Sequence, residues 1–152
     1  MKKEASVCVR WILFLSIFGA VLSLYSFLHK QGFTSGAFCN LNETFNCDVV
    51  NQGPYSQLFG IPVALIGIIG YVLLVVSAGL KIKNPEDESL SLFLLLASAG
   101  GFLFALYLSG LEAFILHAWC IVCLTSQALI FALFVLSCLN ILSEKRKKSL
   151  FI

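Results

Sequence analysis

Apolar residues run through this chain in four long blocks. Residues 11–28 carry no charge and lie between Arg10 and Lys30, and residues 58–80 are uncharged and end at Lys81. Residues 90–111 follow the acidic turn Pro85-Glu86-Asp87-Glu88. Residues 113–143 hold His117 as their one ionisable side chain besides cysteine, before Glu144-Lys145-Arg146-Lys147-Lys148. A bilayer core about 30 Å thick is crossed by about 20 helical residues rising 1.5 Å each. Hydrocarbon offers backbone polar groups no partner, so each block must satisfy its own as a helix. The pattern predicts spans at about 11–28, 58–80, 90–111 and 118–142 within one all-α, integral membrane four-helix bundle covering 1–152.

Composition agrees. The 152 residues are 59% hydrophobic and 12% charged, against about 25% charged in soluble domains. One core of this size could not hide so much apolar surface. A net charge of +2 supplies no basic face for nucleic acid. All ten lysines and arginines except Lys30 fall at the termini or between the second and third spans. By the positive-inside rule both termini are then cytoplasmic in a cell membrane, and residues 30–57 form an outer loop. The first block is longer than a signal-peptide core and no small-x-small site follows Leu28, so it reads as a retained span. Ala97, Gly101, Ala105 and Ser109 form a small-residue stripe on the third span, read as a helix-packing face.

Siding makes the six cysteines informative. Cys39 and Cys47 fall in the outer loop, and Cys120-Ile121-Val122-Cys123 opens the fourth span at the same face. Cys8 and Cys138 lie near the cytoplasmic ends and read as small apolar residues. The outer four could form structural disulfides, a zinc site or a redox relay. Zinc is disfavoured by the eight-residue separation of Cys39 and Cys47. Cys-x-x-Cys at a helix start favours the relay: a bridge there is strained and labile, and the helix N-terminus stabilises a Cys120 thiolate. Gln127 shares a helix face with Cys120 and Cys123. It reads either as a hydrogen-bond partner for a quinone carbonyl or as an interhelical hydrogen bond. His117 and Trp119 read as interfacial residues; the alternative for His117 is to bias the Cys120 thiolate. Asn42-Glu43-Thr44 is a glycosylation sequon.

Cys39, Cys47-Asp48, Leu58-Phe59-Gly60-Ile61-Pro62 and Cys120-Ile-Val-Cys123, in that order, resemble the vitamin K epoxide reductase family, most closely its compact prokaryotic members. The resemblance covers almost the whole membrane domain. It implies a DsbB-like function: a quinone-dependent (menaquinone or ubiquinone class) thiol oxidoreductase that reoxidises a separate DsbA/thioredoxin-like partner, with no fused thioredoxin-like domain expected. Cys39, Cys47, Cys120 and Cys123 would be catalytic. The partner would attack at Cys39, Cys47–Cys120 would be the transient cross-link, and Cys123 would pass electrons to quinone. Pro54 to Phe59 would cap the pocket, with Ser56, Phe59 and Gln127 as cofactor contacts. Ser56 and Gln127 stand where relatives carry asparagine and tyrosine, so quinone hydrogen bonding would be rearranged. Vitamin K epoxide or quinone reduction proper, and a non-enzymatic bundle with structural disulfides, are the alternatives.

Overall fold

The computed structural model describes residues 2–33, 46–117 and 119–150. Four long helices, α1 (Lys2–Lys30), α3 (Val63–Lys83), α4 (Glu88–Leu111) and α5 (Ile121–Leu150), accompany a short α2 (Cys47–Gln52). α1 packs on α3 and α5, and α4 packs on α3 and α5, which closes a four-helix bundle. Each of the four contains a segment long and apolar enough to cross a bilayer: Val7–Lys30, Val63–Lys83, Glu88–Leu116 and Ile121–Arg146. The protein is a multi-pass membrane protein. Large side chains such as Phe14, Leu96, Leu103 and Leu142 point outward, where lipid replaces water.

The core is built from Val9, Ile12, Tyr71, Leu74, Ala78, Leu94, Ile130 and Leu133. Two buried intramembrane serines are satisfied locally: Ser16 Oγ donates to the Ile12 carbonyl at 2.7 Å and Ser98 Oγ to the Leu94 carbonyl at 2.7 Å. This i−4 bonding lets a hydroxyl sit inside an apolar bundle. At the end holding the chain termini, Lys81 is 3% exposed and pairs with Glu144 at 2.8 Å. Its Nζ also donates to the Pro85 and Asp87 carbonyls at 3.0 and 2.7 Å. Ser91 and Asn140 donate to the same Glu144 oxygen. Lys81 thus bolts the α3–α4 turn to α5.

The opposite end carries the functional groups. α1 stops there because Gly32 takes φ +81°, with Gly32 N–H on the His29 carbonyl and Phe33 N–H on the Leu28 carbonyl, both at 3.0 Å; this is a Schellman ending. Within the segment read as a loop from 30 to 57, the described residues include α2 and a 3₁₀ turn, Pro54–Ser56. α2 starts at Cys47 because Asn46 caps it, accepting from Asp48 N–H and Val49 N–H at 3.1 and 3.3 Å.

The second span begins at Val63, not at residue 58. Residues 57–62 instead form a hairpin, with Gln57 opposite Pro62 and Leu58 opposite Ile61. Phe59 and Gly60 both have positive φ, 52° and 82°, as a two-residue primed turn requires. After α4, residues Glu112–Leu116 form a π-helical turn, and His117, at φ 50°, swings the chain toward α5.

Candidate redox site

Cys120 occupies the N-cap of α5. Its carbonyl accepts from Leu124 N–H at 2.9 Å, and its sulfur accepts from Cys123 N–H at 3.3 Å. The Cys-x-x-Cys spacing therefore does capping work, with sulfur in the place usually held by a serine or aspartate oxygen. Cys120 is fully buried. The Cys123 thiol and the N–H groups of Cys123 and Val122 hold its pKa below the usual cysteine range, outweighing burial and the nearby Glu112.

Cys47 Sγ lies 3.2 Å from Cys120 Sγ. Cys47 is disulfide-bonded, whereas Cys120 and Cys123 are free thiols. Cys8 and Cys138 are also free, away from this contact. Two ties bring the sulfurs together. Asn46 N–H donates to the Trp119 carbonyl at 3.2 Å, joining the two cysteine segments just before each sulfur. Asp48 pairs with the buried His29 Nε2 at 3.1 Å, fastening α2 to α1. Cys39 and the Asn42-Glu43-Thr44 sequon lie outside the described residues.

Below the sulfurs is a cavity of about 390 Å³. Its α3 wall runs from Val63 to Leu74, about 16 Å of helix at 1.5 Å per residue. The lining is mostly apolar, with Cys123 and a few polar groups facing in. The stripe Ala97, Gly101, Ala105 and Ser109, read from sequence as packing alone, forms part of the α4 wall. Small side chains leave the space that larger ones would fill. Ser109 Oγ donates to Gln127 Oε1, which leaves the Gln127 amide N–H₂ as a donor. Tyr71 OH meets Ser126 Oγ at 2.9 Å and the Ser126 carbonyl at 3.0 Å.

At the mouth, Ser26 Oγ donates to Asn51 Oδ1 at 3.0 Å. Lys30 Nζ donates to Ser56 Oγ at 2.6 Å and to its carbonyl at 3.2 Å, pinning the 3₁₀ turn over the opening. Ser56 and Gln127 both line the cavity. Phe59 does not: it is 97% exposed, because the primed turn points it away from the bundle. The cover is made by Val50, Asn51, Tyr55 and Ser56, so it starts earlier than the segment from Pro54 to Phe59. His117 is exposed and meets only the Ile115 carbonyl, at 3.3 Å.

Asn51, Tyr71 and Glu112 were not picked out from the sequence. Asn51 and Tyr71 sit in stretches without a motif. Glu112 carried a signal, since it is the only acidic residue between Glu88 and Glu144. It is 3% exposed and accepts from Cys120 N–H at 3.2 Å.

A long, mainly apolar slot with a thiol and several hydrogen-bonding groups suits a planar, lipid-soluble ring carrying two carbonyls. A comparison with curated proteins finds no match. The sequence profile of the vitamin K epoxide reductase family matches residues 10–138. With its cysteine pair set over a cavity in a membrane bundle, the chain belongs to the vitamin K epoxide reductase family and is a membrane oxidoreductase.

Proposed function

We propose that the protein is a quinone-linked thiol oxidase that reoxidises a separate thioredoxin-like or DsbA-like dithiol protein on the extracytoplasmic side of a cell membrane. The contact that carries this reading is Cys47 Sγ to Cys120 Sγ at 3.2 Å, a free thiol against a sulfur engaged in a disulfide. Thiol–disulfide exchange needs in-contact sulfurs and an available thiolate, and reacting atoms about 3–3.5 Å apart are in near-attack range. Exchange here is reversible, so the contact also serves Cys47 as attacker once Cys120 and Cys123 are bridged.

In the forward direction a partner thiolate opens a Cys39–Cys47 bridge by attack at Cys39, releasing Cys47. Cys47 attacks Cys120 of the oxidised Cys120–Cys123 pair, forming the Cys47–Cys120 cross-link and freeing Cys123 as thiolate. The partner's second thiol then displaces Cys39 and the partner leaves oxidised; the freed Cys39 thiolate attacks Cys47 of the cross-link, restoring the Cys39–Cys47 bridge and leaving Cys120 and Cys123 as the dithiol. Residues that fit a quinone ring are Gln127 through its amide N–H₂, Ser56 at the mouth, and the apolar walls of α3 and α4. A bound quinone would supply the two-electron acceptor. The charge pattern, with Lys30 alone among the basic residues near the cysteine end, supports the orientation.

The deciding measurement is quinone reduction by the purified chain in detergent, driven by a reduced thioredoxin-like protein. Turnover that stops with Cys120→Ala and with Cys123→Ala is expected. Full turnover in all four single cysteine variants would overturn the relay.

A further inference from the structure

We propose that Glu112 carries protons between the Cys120–Cys123 pair and the cavity. This rests on the oxidase reading above and adds a residue to it. Converting two thiols to a disulfide breaks two S–H bonds and forms one S–S bond. The two electrons pass to a quinone-class acceptor, and two protons must reach its two oxygens. Cys120 is completely buried and the half-buried Cys123 faces the cavity, so protons leaving the pair must pass to groups beside it or into the cavity.

Glu112 has the position for it. Its Oε2 accepts from Cys120 N–H at 3.2 Å, and it lines the same cavity as Cys123. Among the described residues no lysine, arginine or histidine forms an ion pair with it. The other titratable groups lining the cavity are Lys30, Tyr55 and Tyr71. Lys30 is engaged with Ser56 and Tyr71 with Ser126, while Tyr55 belongs to the cover, half exposed. The π-helical turn that begins at Glu112 directs the carboxyl inward, and such turns recur at functional sites. A carboxylate takes the Cys123 proton as that sulfur's electrons leave, then gives it up into the cavity, so its own charge is restored at the end of each turnover.

The test uses the full chain in detergent, reduced and freed of quinone. Cys123 alkylation by N-ethylmaleimide is followed against pH by mass spectrometry. A thiol sharing one proton with a carboxylate reacts over a plateau on which its rate does not change with pH, because the proton shifts between the partners. Glu112→Gln keeps a hydrogen-bond acceptor and removes the shared proton. The plateau should vanish, and the rate should rise about tenfold per pH unit, starting below wild type at pH 7. If Glu112 were only a neighbouring charge, Glu112→Gln would raise Cys123 reactivity instead, and that result overturns the proposal.

In parallel, the reduced protein is mixed with a short-chain quinone. Glu112→Gln should slow quinone reduction by about 100-fold or more, and Glu112→Asp should recover part of the rate with the wild-type pH profile. The Asp variant and the alkylation reading separate lost proton transfer from lost fold. Wild-type rates in Glu112→Gln would overturn the proposal alone. A wild-type protein that reduces no quinone would instead sink the oxidase reading.

Discussion

Cys120 Sγ faces two sulfurs with different duties: Cys47 Sγ at 3.2 Å and, within its own capping turn, Cys123, whose N–H points at it from 3.3 Å. Only Cys123 lines the cavity. The geometry sets loop sulfur, capping sulfur and cavity sulfur in that order, as the proposed relay requires, with Cys120 as its exchange point.

Removing Cys123 should freeze the chain at that point. In Cys123→Ala the neighbouring thiol that would displace Cys47 from Cys120 is gone, so a Cys47–Cys120 cross-link should accumulate under mildly oxidising conditions. Non-reducing peptide mapping reads it directly. Cys120→Ala should yield no such species.

Cys120 should alkylate at lower pH than an ordinary cysteine, since the Cys123 thiol and two backbone N–H groups favour its thiolate. In Cys123→Ala the thiol donor is lost while the backbone donors stay. The midpoint for Cys120 should then move upward, toward the ordinary range. Iodoacetamide labelling against pH in the quinone-free protein measures both midpoints. An unchanged midpoint would show that the Cys123 side chain contributes nothing.

Gly101 lines the cavity, and a Cβ there would come within 3.1 Å of the Ile130 side chain, itself part of the wall. Gly101→Leu should fill the slot, weakening quinone binding by about tenfold or more, the effect of roughly 1.4 kcal/mol. Disulfide exchange at Cys47 and Cys120 should continue, because it occurs at the bundle end. Quinone titration and thiol trapping on the same sample separate the two effects.

At the other end, Lys81→Met should cost about 3 kcal/mol, because it leaves Glu144 partly buried without its cation. Lys81→Met with Glu144→Gln should recover much of that loss, since the remaining amide still meets Ser91 and Asn140. Thermal unfolding in detergent compares the two. Equal melting temperatures for the single and double variants would mean that the ion pair is not what holds α3 to α5.

Lipid imposes a simple requirement, so the sequence by itself determined four helices and a redox-type cysteine pattern. Uncharged blocks of sufficient length have one stable backbone arrangement, and Cys-x-x-Cys at a helix start has a defined geometry. Helix spacing points Gln127 to the face of Cys120 and Cys123, and a family likeness points Ser56 to the cavity, which both line, while Phe59, assigned by that likeness, faces outward. That difference comes from the sign of two φ angles at Phe59 and Gly60, which local composition does not dictate. Asn51, Tyr71 and Glu112 acquire meaning only once α1, α3, α4 and α5 enclose a common space. The small-residue stripe shows the same limit. Spacing places Ala97, Gly101, Ala105 and Ser109 on one face, but only tertiary packing decides whether that face meets a helix or bounds a void. Distances across the bundle depend on how helices far apart in sequence come to rest against each other, and no single segment contains that information.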